Sequence, residues 1–214
     1  MRKYWLAGPA ATFAAPAFAH HPLGGMPMET FTHGILSGIG HPLLGFDHLF
    51  FVFLVGIASV LMARRVLAPL FYLAAMLGGC LISSLWTTLP ASELMVALSL
   101  LVLGTLVLSG RHIGQTAGLC AFAGFGLFHG AAFGATLAAQ EAGFGLPVLA
   151  GYLIGLGVIQ YMIALGAGWM CASVWKASEI GAIQPRLAGA MVAGAGLYLI
   201  LEHIEGPLLR AIAS

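Results

Sequence analysis

His41, Asp47 and His48 place two imidazoles and a carboxylate in one short segment, His41-Pro42-Leu43-Leu44-Gly45-Phe46-Asp47-His48, at the mouth of an apolar run. Groups that ionise or bind metal are costly to take out of water, so in such a place they mark a functional site by default. Imidazole nitrogen with carboxylate oxygen is a donor set for divalent transition metals. Alternatively, Asp47 could accept the free N–H of a ligating histidine and fix its orientation. Pro42 suits a first helical turn, where its missing N–H has no partner, which predicts a helix starting at His41. On that helix His41 and His48 lie two turns and about 10 Å apart, too far to chelate one ion unaided, so other helices must contribute. The plainer reading is a hydrogen-bonded cluster that caps the helix.

A second set lies in Phe128-His129-Gly130-Ala131-Ala132-Phe133-Gly134. His129 sits inside an apolar stretch beside Gly126, Gly130 and Gly134, which share a helix face and would let a neighbouring helix come close enough to share a ligand. A packed, satisfied histidine is the simpler alternative. Glu202 and His203 end the last apolar run; they point about 100° apart, so only one would face a given ion unless the helix frays. Tyr198, one turn earlier, could hydrogen-bond to Glu202. Near the start, His20 and His21 would form the mature amino terminus if an export signal is cleaved after Ala19. The terminal amine, the His21 backbone nitrogen and its imidazole could then chelate Ni(II) or Cu(II) and release protons, with His33 extending this arm. A flexible terminus with idle histidines is the alternative.

The elements that must hold these residues are membrane helices. The chain is 60% hydrophobic and 7% charged, a balance no water-solvated surface of this size sustains. Residues 1–19 read as a signal peptide: Arg2 and Lys3, then an apolar stretch, then Ala17-Phe18-Ala19. Residues 20–214 read as one all-α polytopic domain with about six transmembrane helices in a bundle, near 43–63, 66–88, 93–110, 113–137, 146–174 and 187–204. With both mature ends outside, Arg64, Arg65, Arg111, Lys176 and Arg186 fall in cytoplasmic connections. This predicts a bacterial inner-membrane protein with periplasmic termini. Small-residue stripes at Gly114/Gly118, Gly126/Gly130/Gly134 and Gly151/Gly155 predict close helix packing. Cys80, Cys120 and Cys171 form no CxxC and read as packed thiols. A net charge of +1 with scattered basic residues gives no reason to expect a nucleic-acid partner. The lipid bilayer and a divalent ion are the expected partners, with no permanently bound cofactor.

At these motifs the chain resembles the HupE/UreJ family of hydrogenase- and urease-associated membrane proteins, regarded as nickel or cobalt permeases. The likeness covers the export signal, about six spans, the His-x5-Asp-His pattern at His41, Asp47 and His48, and Phe128-His129-Gly130. It implies that His41, Asp47, His48 and His129 belong to a metal path, and that the chain serves hydrogenase or urease maturation indirectly. One departure stands out: the family's fourth-span pattern often continues His-Gly-x-Ala-His-Gly-x-Glu, whereas this chain has Phe133 and Thr136 at the second histidine and the glutamate. The expectation is a secondary permease for Ni(II) or Co(II), not an enzyme and without a Walker motif. Two other classes stay open: a membrane haem protein with His48 and His129 as axial ligands, and a metal-dependent intramembrane hydrolase, for which no HExxH, nucleophile elbow or Ser/His/Asp arrangement is evident.

Overall fold

Thr30 starts the first helix: its side-chain oxygen accepts from the His33 backbone N–H at 3.1 Å, while His33 Nδ1 accepts from the Glu29 N–H at 3.3 Å, a reciprocal cap. His33 is therefore engaged in beginning its own helix. The computed structural model describes residues 27–62, 65–139, 144–179 and 181–213. In chain order the helices are α1 (Phe31–Leu44), α2 (Phe46–Val60), α3 (Ala68–Leu85), α4 (Ser92–Leu108), α5 (Gln115–Ala138), α6 (Leu146–Trp169, continued by a π-helical turn over Met170–Val174) and α7 (Ile183–Ala213). There is no strand among the described residues. The expected signal peptide, and with it His20 and His21, lies outside them.

The helix expected to begin at His41 begins ten residues earlier, at Phe31. Pro42 sits in its last turns, where the missing N–H leaves the Gly38 carbonyl without its donor and weakens the helix. The ladder ends with Gly45 N–H donating to His41 O at 2.9 Å. Gly45 is extended (φ −85°, ψ 95°), and α2 restarts at Phe46 with its axis bent by 82° from α1. Helices α1 and α2 are thus a broken pair, and the eight-residue motif straddles the break. Hydropathy alone missed α1 because its glycines and His41 dilute the apolar signal.

Four helix pairs are closed by glycine, among them α2 and α6, where a Cβ on Gly56 would fall on the Ala164 carbonyl. A Cβ on Gly130 would fall on the Met76 carbonyl and one on Gly79 on the Leu127 carbonyl, so α3 and α5 are in backbone contact from both sides. Gly34 and Gly38 of α1 meet Val148 and Tyr152 of α6, and Gly151 and Gly155 answer from α6 against Phe31 and Ile35. Gly104 of α4 meets Gly189 and Ala193 of α7. The expected stripes at Gly126/Gly130/Gly134 and Gly151/Gly155 are therefore contact faces. Gly114/Gly118 is not one: Gly114 has open space around it and Gly118 meets only the side chains of Met62 and Ile113. The order of contacts makes α3 parallel to α5, α1 parallel to α6, and α4 antiparallel to α7.

By length and composition α3, α5, α6 with its π-helical turn, and α7 can each cross a membrane, and α1–α2 makes a fifth crossing if the bent pair counts as one. Helix α4 is apolar but has 17 residues, about 26 Å against a hydrocarbon core of about 30 Å. The expected six is therefore four to five by this measure. The outer faces of α6 and α7 carry large apolar side chains, among them Ile154, Val158, Met162, Leu187, Met191 and Leu201, as a lipid-facing surface requires. Exposed Trp86 and Trp169 stand at helix ends, where indole suits the interface.

Candidate functional site

The break at Gly45 folds the motif back on itself. His41, in the last turn of α1, and His48, in the first turns of α2, have ring centroids 6.3 Å apart. The two-turn separation expected for one straight helix does not occur. His41 Nδ1 is 2.9 Å from the Tyr152 hydroxyl of α6, which ties the end of α1 to the helix its glycines touch. Asp47 stays partly exposed, its Oδ1 accepting from the His48 N–H at 2.9 Å and its Oδ2 standing 3.8 Å from His48 Nε2.

His48 and His129 meet inside the bundle, with Nδ1 atoms 2.7 Å apart. His129 is completely buried and His48 is 6% exposed. His129 stacks on Phe51 at 4.3 Å between centroids and at 22°. Its Nε2 is 2.8 Å from Ser99 Oγ of α4, and that hydroxyl lies 2.6 Å from the Val96 carbonyl.

These contacts fix the protons in the neutral pair. A serine hydroxyl has one hydrogen; Ser99 gives it to Val96 O and so accepts from His129 Nε2–H. His129 Nδ1 is then a lone pair and accepts from His48 Nδ1–H. His48 Nε2 is left as a lone pair facing the Asp47 carboxylate across 3.8 Å. Two electron-rich atoms so placed repel each other unless a proton or a cation lies between them.

The site can therefore receive a cation in two places. Between His48 Nε2 and Asp47 Oδ2 the donors are already bare. Between the two Nδ1 atoms the ion would replace a hydrogen bond: ligands about 2.1 Å from an ion, at 90–110° to each other, stand about 3.0–3.4 Å apart. The 2.7 Å pair would need to open by well under 1 Å. Among the described residues no three His, Cys, Asp or Glu side chains stand close enough to hold one ion.

Phe133 borders the site. Its ring lies 4.1 Å from the His48 ring and 5.0 Å from the His41 ring, centroid to centroid, and is completely buried. It packs against both imidazoles from one side. Thr136 returns its hydroxyl to the Ala132 carbonyl of its own helix at 3.1 Å.

Of the residues expected from sequence, His41, Asp47, His48 and His129 come together. Glu202 and His203 do not join them: both are exposed on α7, with no hydrogen bond or ion pair among the described residues, and Tyr198 makes none to Glu202. Sequence reasoning missed Ser99 and Tyr152, and named Phe133 only as a departure from the family pattern. Ser99 is one small polar residue among apolar neighbours, a weak signal, and Tyr152 resembles any core aromatic. The Ser99–His129 contact has the outline of a nucleophile and base, but the hydroxyl proton is committed to Val96 and the group is sealed from solvent, which argues against hydrolysis. Nitrogens 2.7 Å apart also leave no room for a haem iron, which needs about 4 Å between axial nitrogens at about 2 Å each.

A family model described as HupE / UreJ protein matches residues 9–199. Protein HupE of Rhizobium leguminosarum bv. viciae is 30% identical over 198 residues, covering 89% of this chain and 94% of that protein. No solved structure matches the chain.

Proposed function

The chain belongs to the HupE/UreJ family, and from that premise we propose that it is a secondary permease that takes a divalent transition-metal ion, Ni(II) or Co(II), inward along a path of His41, Asp47, His48 and His129. The observation that carries the reading is the bare His48 Nε2 facing Asp47 at 3.8 Å, backed by the buried His48–His129 bond of 2.7 Å. An ion arrives at the half-exposed carboxylate, binds His48 Nε2, and passes to the imidazole pair by opening it. While the ion sits at the outer place, His129 accepts the far N–H of His48 and holds the ring in its ligating tautomer. Few protein donors mean modest affinity, which conduction requires.

The reading includes six crossings in the bacterial inner membrane. The broken α1–α2 pair is the first and the short α4 the third. Strict alternation makes α3 and α5 parallel, α1–α2 and α6 parallel, and α4 and α7 antiparallel, the senses in which these helices pack. Arg186 Nε donates to Leu108 O at 2.9 Å, joining the end of α4 to the start of α7 on one side. That side, with Arg65, Arg111 and Lys176, is cytoplasmic by the positive-inside rule. The mature termini are then periplasmic, and residues 1–19 act as the export signal. The link to hydrogenase or urease is indirect, through supply of metal. His20, His21, Glu202 and His203 serve at most as outer, hydrated donors.

Uptake of radioactive nickel and cobalt at trace external metal, in cells with and without the chain, tests this. Metal-selective accumulation that is lost in Asp47→Ala and His129→Ala supports the path; uptake indifferent to both would falsify it.

A further inference from the structure

Deeper than the imidazole pair lies a polar group that the path above does not use. Gln160 of α6 is completely buried, eight residues beyond Tyr152 and so about 12 Å further along the helix. Its Oε1 accepts from the Tyr72 hydroxyl of α3, and its Nε2 donates to Met76 Sδ at 3.8 Å. A thioether cannot donate, which fixes the amide's orientation, and it is a weak acceptor. Tyr72 and Met76 are also completely buried. An amide in the middle of a membrane-spanning helix with so poor a partner is under-satisfied for a group withdrawn from water.

The group is continuous with the outer site. The Tyr72 ring stands edge-on to His129 at 6.2 Å and lies 5.5 Å from Phe51, the ring on which His129 stacks. The Tyr72 phenol meets the amide oxygen and the Met76 thioether the amide nitrogen, so α3 and α6 share this polar group on the inward side of the histidines.

We infer that Tyr72, Gln160 and Met76 form a second, inner station for the transported cation, built from neutral donors. The inference rests on the permease reading. Sulfur and oxygen donors accept a borderline cation, and without a carboxylate or imidazole they hold it more weakly than the outer site, so the ion moves on inward. Oε1 is freed for the ion when the Tyr72 hydroxyl turns from the amide to become a donor itself.

Nickel uptake by cells, normalised to the amount of folded protein in the membrane, and equilibrium nickel binding to the purified chain test it together. Gln160→Leu and Tyr72→Phe lower the maximal uptake rate about tenfold, the effect of losing roughly one polar contact. They leave the half-saturating concentration and the nickel bound at the outer site unchanged. Gln160→Glu retains the ion, raising the nickel that copurifies while slowing uptake, a split that a purely structural amide does not give. If Gln160→Leu fails to fold, Tyr72→Phe, which removes one oxygen and almost no volume, decides alone. Variants that transport at the wild-type rate overturn the inner station and leave the permease reading standing. A wild-type chain that carries neither nickel nor cobalt overturns both.

Discussion

His48 and His129 share a hydrogen bond of 2.7 Å between like atoms, Nδ1 to Nδ1, and the two rings are unequal because of what lies beyond each. Ser99 at the far side of His129 dictates which ring donates. Asp47 at the far side of His48 stands where a proton or cation is needed. The line Asp47, His48, His129, Ser99 joins the partly exposed end of α2 to the buried middle of α4 and α5.

Removing His129 breaks this line at its centre. In His129→Ala, His48 Nδ1–H loses its acceptor, costing about 1–3 kcal/mol, and the vacated ring adds a cavity against Phe51. We expect a lower unfolding midpoint for the purified protein and loss of nickel uptake. Ser99→Ala gives a milder version, since it frees His129 to change tautomer without emptying the space. Isothermal titration and uptake on both variants, with wild-type values for Ser99→Ala, would remove the tautomer argument.

Asp47 separates function from folding. It is partly exposed, and its Oδ1 caps the His48 N–H, a role that an asparagine oxygen can keep. Asp47→Asn therefore changes stability by less than about 1 kcal/mol, while removing the charge that the proposed path places against the ion. Uptake falls at least about tenfold if one charge-assisted contact is lost. A melting curve beside an uptake assay reads both quantities, and unchanged uptake would exclude Asp47 from the path.

How far the sequence could be read depended on what each residue needed to reveal itself. His41, Asp47, His48 and His129 were legible because ionisable groups in apolar runs have few innocent explanations, and the glycine stripes of α5 and α6 because four-residue spacing is a direct trace of helix packing. The break at Gly45 was not. Pro42 reads as a helix start or a helix end equally well, and only the cap at Thr30 decides for the end. Phe133 was visible as a departure from the family pattern, yet its contact with two imidazoles at once depends on α1 turning through 82°. Gln160 was a lone amide in a long apolar helix, a signal of the same kind as His129 and equally readable.

The α3–α5 contact sets the depth of His129 and is sensitive to a single methyl group. A Cβ on Gly130 meets the Met76 backbone, which cannot turn aside as a side chain can. Gly130→Ala forces the helices apart at a cost of about 1–3 kcal/mol or more, with His129 drawn away from Ser99. At Gly124, on the same helix, an added methyl group would have no neighbouring atom within 4 Å, and Gly124→Ala gains about 0.5–1 kcal/mol of helix stability. Size-exclusion profiles and unfolding midpoints after detergent extraction should move in opposite directions for the two. Equal behaviour would mean that the contact is looser than described.

Phe133 is where binding strength can be raised. Its ring packs against both His41 and His48, so a histidine in its place brings a third imidazole within reach of two others. Phe133→His costs some packing, because the smaller and more polar ring leaves a void of the kind that destabilises buried sites. In exchange, an ion on the proposed path gains a further protein donor. We expect nickel affinity of the purified protein, measured by equilibrium dialysis, to rise by about tenfold or more, the equivalent of about 1.4 kcal/mol. Maximal uptake should fall, because an ion held by more donors leaves more slowly. Phe133→Leu is the control: it keeps the site apolar and should leave affinity at the wild-type value. If Phe133→His binds no more tightly than Phe133→Leu, His41 and His48 do not face a common ion, and the path runs past His41 without using it.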